Sequence, residues 1–300
     1  LIRLAVIGII GFVAAAALWF YLVSGPAKLS QIDWLMGGGS GVEQAADGIA
    51  FGDHGQTLDV WRPRRSAGSK LPVVVFFYGG GWHDGTRQGY AFAGRALAAQ
   101  GFVVVIPDYR KVPNVRFPAF VADGAEATRW VRDHIDDYGG DHTRMAVMGH
   151  SAGAYIAAML ALDGRYLMAT CADPHLIKAA VGLSGPYDFY PFTADSAQAA
   201  FGQFPDPAET QPIHYARADA PPMLLVTSSK DVTVKPRNAI ALRDKLKALG
   251  ARVDFRNYPG LKHEEVAMAL SKPFRAKAPV LADSVAFIKR ALGEMSDVKP

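Results

Sequence analysis

A chain of 300 residues, half of them hydrophobic, is long enough to bury one large core, and no break in composition marks a second full domain. Its net charge of +4 comes from scattered Lys and Arg with no basic run of five, a pattern of solubility rather than nucleic-acid binding. The single cysteine, Cys171, excludes an internal disulfide and any multi-cysteine metal site, and its expected role is that of a small buried hydrophobe.

Residues 4–23 form a run of 20 apolar or glycine residues between Arg3 and Ser24-Gly25-Pro26-Ala27-Lys28, long enough to cross a bilayer. The run reads as an uncleaved signal anchor, with a cleaved secretory signal as the alternative. Residues 1–27 are therefore expected to attach the chain to a membrane by a single span, with the extracytoplasmic side favoured. Residues 28–46 contain Gly37-Gly38-Gly39-Ser40-Gly41 and read as a flexible tether, so that a catalytic domain would occupy 47–300.

Within that domain, 48–51 and 57–61 pattern as an antiparallel hairpin, with His54 in its turn. Residues 71–78 and 102–107 are unbroken apolar runs of the kind buried on both faces of a parallel sheet, and 90–100 between them has helical spacing ended by Gly101. The alternation continues with a helix over 119–135, a strand over 144–148, a helix over 152–162 and strands over 179–184 and 223–228. A helix over 237–249, a strand over 253–258 and a helix over 279–292 complete it. This order predicts an α/β fold on a mostly parallel, doubly wound sheet. Residues 183–219 break the rhythm, and their prolines and aromatics suit a short cap over an apolar pocket.

The chemistry centres on Gly149-His150-Ser151-Ala152-Gly153, where a buried strand ends and a small-residue helix begins. A turn that presents a serine hydroxyl while the chain doubles back needs glycines on either side, as in a nucleophile elbow. A serine hydroxyl is a weak nucleophile and requires a base, which in turn requires an acid to orient it. With the order Ser, acid, His expected after such an elbow, Asp231 and His263 are the candidates, each in a loop that follows a late strand. Asp188 is the fallback acid. None of the other seven histidines follows a late strand, and no metal-binding spacing such as H-E-x-x-H is present. Donors for a developing oxyanion are expected from the amides of Gly80 and Gly81, in Tyr78-Gly79-Gly80-Gly81-Trp82, and from Ala152. Trp82, Tyr187 and Phe189 are the expected substrate contacts.

Tyr78-Gly-Gly-Gly-Trp82, Pro107-Asp108-Tyr109-Arg110, Gly149-His-Ser-Ala-Gly153, Asp231 with Val234, and His263 together resemble the hormone-sensitive-lipase-like branch of the α/β-hydrolase esterases, near the carboxylesterase, arylformamidase and isoprenylcysteine methylesterase groups. The resemblance covers about 47–292. It implies an α/β-hydrolase fold and a Ser-Asp-His hydrolase of small-molecule carboxylic esters, acting through an acyl-enzyme with no cofactor and no metal. In that family the glycine motif usually begins with His, which supports the oxyanion loop by hydrogen bonding; here Tyr78 stands in its place. An amidase, arylformamidase or peptidase on the same fold is the alternative activity, and a catalytically inactive, membrane-tethered binding module is the alternative from another class.

Overall fold

The computed structural model describes residues 24–65 and 68–294. The expected membrane span over 4–23 lies outside them; among the described residues, no helix is long and apolar enough to cross a membrane.

Eight strands build one sheet: β1 (Val42–Phe51), β2 (Gln56–Pro63), β3 (Leu71–Phe77), β4 (Val103–Pro107), β5 (Gly140–His150), β6 (Ile177–Leu183), β7 (Met223–Thr227) and β8 (Val253–Asn257). Their spatial order is β1-β2-β4-β3-β5-β6-β7-β8. The first two strands are antiparallel to each other, β2 is antiparallel to β4, and every later pairing is parallel. The apolar runs L-P-V-V-V-F-F and V-V-V-I-P occupy the centre because helices cover both faces, leaving almost no position of β3 or β4 exposed. The chain passes from β3 to its neighbour on one side, β4, and then returns to the other side as β5. The carboxyl ends of β3 and β5 therefore flank a topological switch point, where sheets of this type leave a crevice.

The helix that follows β5, Ala152–Leu162, is buried on every side, as its sequence A-G-A-Y-I-A-A-M-L-A-L requires. Gly153 lets it approach the sheet: a Cβ there would lie 2.0 Å from the carbonyl oxygen of Phe77 on β3.

Three expectations are corrected. The stretch read as a tether is ordered and docked. Its helix α1, Gly25–Leu35, has Ser24 as N-cap and a proline in the first turn. Asp33 of α1 is buried against Arg95, with Arg95 Nη2 donating to Asp33 Oδ2 at 2.8 Å and to the Ser30 carbonyl at 2.6 Å. The catalytic sheet also begins earlier than 47, because β1 starts at Val42; its half-buried edge, with register shifts around Ala46, lacks a clean alternation of apolar and polar residues. Cys171 is exposed rather than buried, in the turn after the short helix Arg165–Ala169.

Candidate active site

Ser151 sits between the end of β5 and the first residue of the helix at Ala152, with φ 54° and ψ −120°. That conformation is costly for a residue with a side chain, on the order of 1–3 kcal/mol, and the surroundings enforce it. A Cβ on Gly149 would fall 2.3 Å from the carbonyl of Gly153, so the elbow closes only with glycine there. The Ser151 amide donates to the Leu183 carbonyl at 2.9 Å, tying the turn to the end of β6.

The turn aims the hydroxyl at His263, whose Nε2 lies 2.8 Å from Ser151 Oγ. On the other side of the ring, His263 Nδ1 lies 2.8 Å from Asp231 Oδ2. A carboxylate can only accept, so Nδ1 carries the proton and Nε2 is left to accept from the serine. Asp231 is buried, and its other oxygen accepts from the amides of Thr233 at 3.0 Å and Val234 at 2.8 Å. Burial alone would push this carboxyl up; the hydrogen bond and charge of His263, with the Val234 amide, outweigh it and hold the carboxyl below its ordinary range. Asp188 makes no bond to His263. Its amide donates instead to Asn238 Oδ1 at 3.0 Å, which anchors the start of the cap.

Gly80 and Gly81 leave the end of β3 with φ 143° and φ 59°, conformations open to glycine, and border the same cavity as Ser151. The loop turns back on itself through the Gly80 carbonyl, which accepts from the Asp84 amide at 2.9 Å. Ala152, the third expected donor, is the first residue of an 11-residue helix, so its N–H belongs to the free amides at a helix N-terminus.

Tyr78 holds this loop from below. Its hydroxyl donates to Asp108 Oδ1 at 2.8 Å and accepts from Lys111 Nζ at 2.9 Å, and the same ammonium donates to the Gly85 carbonyl at 3.1 Å. The tyrosine hydroxyl, with Lys111, thus ties both ends of the glycine loop to the segment just after β4. Sequence reading did not single out Asp108 and Lys111 for this task, although Pro107-Asp108-Tyr109-Arg110 was a visible motif.

The cavity over Ser151 measures about 790 Å³. Trp82 and Phe189 line it, and their rings stack with centroids 6.1 Å apart. The cap contributes Thr193 and Ala194, with Ser196 and Ala197 from the short helix Asp195–Phe201. Tyr187 is a correction: it is fully buried beneath Gly182 and Gly185 and does not border the cavity. Its ring fills the space those two glycines leave, a packing role that one aromatic in a cap sequence does not distinguish from ligand contact.

A family model, BD-FAE, matches residues 58–246, more than half of the chain. The chain belongs to the BD-FAE family. Esterase LipC of Mycobacterium tuberculosis (strain ATCC 25618 / H37Rv) is 32% identical over 244 residues, covering 72% of this chain and 58% of LipC. The isoprenylcysteine alpha-carbonyl methylesterase ICME of Arabidopsis thaliana is 29% identical over 274 residues, covering 83% of this chain and 63% of ICME. The chain therefore spans about three fifths of the length of these curated relatives. Among solved structures, a hyperthermophilic esterase from the archaeon Pyrobaculum calidifontis aligns with a TM-score of 0.70 at 26% identity, over 88% of this chain and 91% of that one. Esterase B of Lactobacillus rhamnosis, inhibited by a tributyrin phosphonate, aligns with a TM-score of 0.76 at 18% identity, over 94% and 96% of the two chains. The fold is that of an α/β-hydrolase esterase.

Proposed function

We propose that this BD-FAE family member hydrolyses carboxylic esters of small to medium acyl length, with Ser151 as nucleophile, His263 as general base and Asp231 as its orienting acid. The observation that carries the reading is the continuous hydrogen-bonded line from Ser151 Oγ through His263 to Asp231, 2.8 Å at each step, opening into a cavity. His263 Nε2 takes the hydroxyl proton as Oγ attacks the ester carbonyl, and Asp231 stabilises the imidazolium that results. The amides of Gly80, Gly81 and Ala152 receive the tetrahedral oxyanion. His263 then protonates the departing alcohol, and a water activated by the same nitrogen releases the acid from Ser151. Trp82 and Phe189 form an apolar wall against the substrate.

The test is a series of p-nitrophenyl esters from acetate to palmitate, with the wild-type chain and Ser151→Ala side by side. Serine-dependent turnover greatest at short and medium chains supports the reading. Folded protein that turns over no ester overturns it and directs attention to amides such as aryl formamides, or to an inactive binding module.

We also propose that residues 4–23 attach the chain to a membrane, with the catalytic domain on the extracytoplasmic side. In support, the apolar run ends directly before Ser24, and both Ser24 and Pro26 border the cavity mouth. Trp34, Leu35 and Met36, at and just past the end of α1, are exposed. An alkaline carbonate wash of membranes from cells expressing the full sequence should leave the protein in the pellet; release into the supernatant overturns the attachment.

A further inference from the structure

His150 follows Gly149 in the elbow, is buried, and borders the cavity beside Ser151 without a hydrogen bond to the serine hydroxyl. Its Nε2 lies 3.1 Å from the backbone carbonyl of His263, and its Nδ1 lies 3.1 Å from the Tyr90 hydroxyl. A carbonyl only accepts, so Nε2 bears the proton, Nδ1 is the acceptor, and Tyr90 donates to it. The Gly79 amide faces the same Tyr90 hydroxyl. The loop backbone also rests on the ring directly: a Cβ added to Gly79 would sit 2.8 Å from His150 Nδ1 and 3.1 Å from the Ser151 Cβ. The ring centroids of His150 and His263 are 4.9 Å apart.

We propose that His150 is a positioning residue of the reaction, its single imidazole fixing the spacing between the oxyanion loop at Gly79 and the backbone of the base at His263. The proposal rests on the esterase reading above. His263 opens the short helix His263–Met268, and its side chain must reach both Ser151 and Asp231. The hydrogen bond from His150 to its carbonyl holds the backbone of that residue against the elbow. The same ring, through Tyr90, seats the start of the glycine loop whose amides face the substrate oxygen. Nucleophile, base and oxyanion donors are thereby referenced to one rigid group, which matters because displacements of an ångström in such a constellation cost about a hundredfold in rate.

The groups around the ring are the Tyr90 hydroxyl, the His263 imidazole and, behind it, the Asp231 carboxylate. Burial, followed by the repulsion of His263, pushes the His150 imidazole down to about 3, so it stays neutral throughout the working range. A neutral ring does not oppose the positive charge that His263 acquires in the transition state.

The experiment compares wild type, Ser151→Ala, His150→Phe, His150→Gln and Tyr90→Phe on one p-nitrophenyl ester, reading kcat, KM and the pH profile of kcat/KM, with thermal unfolding as a check on folding. Gln retains one N–H donor and one oxygen acceptor on an uncharged group that does not titrate. We expect His150→Phe to lose about 30- to 100-fold in kcat with KM within about threefold of wild type. His150→Gln should recover to within about fivefold of wild type, with an unshifted pH profile. Tyr90→Phe, which leaves the ring and its bond to His263 in place, should lose about three- to tenfold in kcat and remains informative if His150→Phe does not fold. Wild-type kcat in folded His150→Phe or in Tyr90→Phe overturns the proposal, as does a loss carried by KM alone or a failure of Gln to restore kcat. Absence of serine-dependent turnover in wild type would instead sink the esterase reading itself.

Discussion

Replacing His150 by Gln should reverse the order of stability between the two chains as the solution is acidified. In the folded protein the His150 ring refuses a proton until about pH 3, whereas an unfolded histidine accepts one near its ordinary 6.5. Between those values the unfolded chain binds more protons than the folded one, so stability conferred by His150 is complete above 6.5 and is lost as pH falls toward 3. The full difference corresponds to about 5 kcal/mol, and roughly half of it has gone by pH 4.5. The Gln variant keeps an uncharged donor and acceptor but fills the ring's place less well, a loss of about 1 kcal/mol at neutral pH. All other titrating groups are common to both chains, including Asp231, whose lowered carboxyl adds stability that is lost at still lower pH. Their contributions cancel in the difference. Urea unfolding followed by tryptophan fluorescence should therefore show wild type ahead at pH 7 and the variant ahead by pH 4.5. Parallel curves across that range would refute a neutral, buried His150.

Ser151→Ala should lose at least about 10,000-fold in ester turnover with an unchanged far-UV spectrum, and retained turnover would exclude the serine as nucleophile. Ser151→Gly should unfold later than Ser151→Ala by about 1 kcal/mol, because glycine accepts φ 54° and ψ −120° without strain; equal midpoints would remove the argument for stored strain. Tyr78→Phe, which deletes the hydroxyl shared by Asp108 and Lys111, should lower kcat about tenfold while leaving KM near wild type, and an unchanged kcat would show that the oxyanion loop does not need this support. Trp82→Ala should raise the rate on octanoate relative to acetate esters by opening the apolar wall toward Phe201 and Tyr155; an unaltered chain-length profile would place the acyl group elsewhere in the cavity.

The parallel part of the sheet was readable from residue types because β3 and β4 are unbroken apolar runs, and some of the crossover helices are followed closely by a glycine. Gly101 after the first crossover, at φ 93°, is one example. The grouping of Ser151, Asp231 and His263, which the structure joins by hydrogen bonds, was readable because each follows a strand in the order that an elbow of this type demands. Two regions resisted for a common physical reason: their structure depends on partners far along the chain. Helix α1 is held by Arg95 and by the Lys272 amide, which donates to Asp33 Oδ1 at 2.8 Å, so glycines downstream of it suggested a free tether. Its local signal was present in Ser24 and Pro26, an N-cap followed by a first-turn proline, but adjacency to the apolar run drew the reading toward a membrane flank. In the cap, periodicity could not tell Phe189 from Tyr187, because only the fold decides which ring meets the cavity and which meets Gly182.

The elbow itself explains why so much function is concentrated in five residues. Gly149 and Gly153 are needed for backbone approach, and Ser151 for chemistry, which leaves His150 and Ala152 as the positions where a side chain or an amide could add something. Ala152 begins the helix, so its amide is among the free N–H groups at the helix N-terminus, and its side chain can be no larger without crowding the buried surroundings. The side chain of His150 lies between the glycine loop at Gly79 and the backbone of His263. An apolar residue there would fill the volume but leave the His263 carbonyl and the Tyr90 hydroxyl without this buried partner, at a cost of about 1–3 kcal/mol for each group left unsatisfied. A lysine would satisfy the carbonyl yet bring a positive charge beside the base at the moment it gains its own. An imidazole kept neutral by burial satisfies both neighbours, donating at Nε2 and accepting at Nδ1, while adding no charge beside His263.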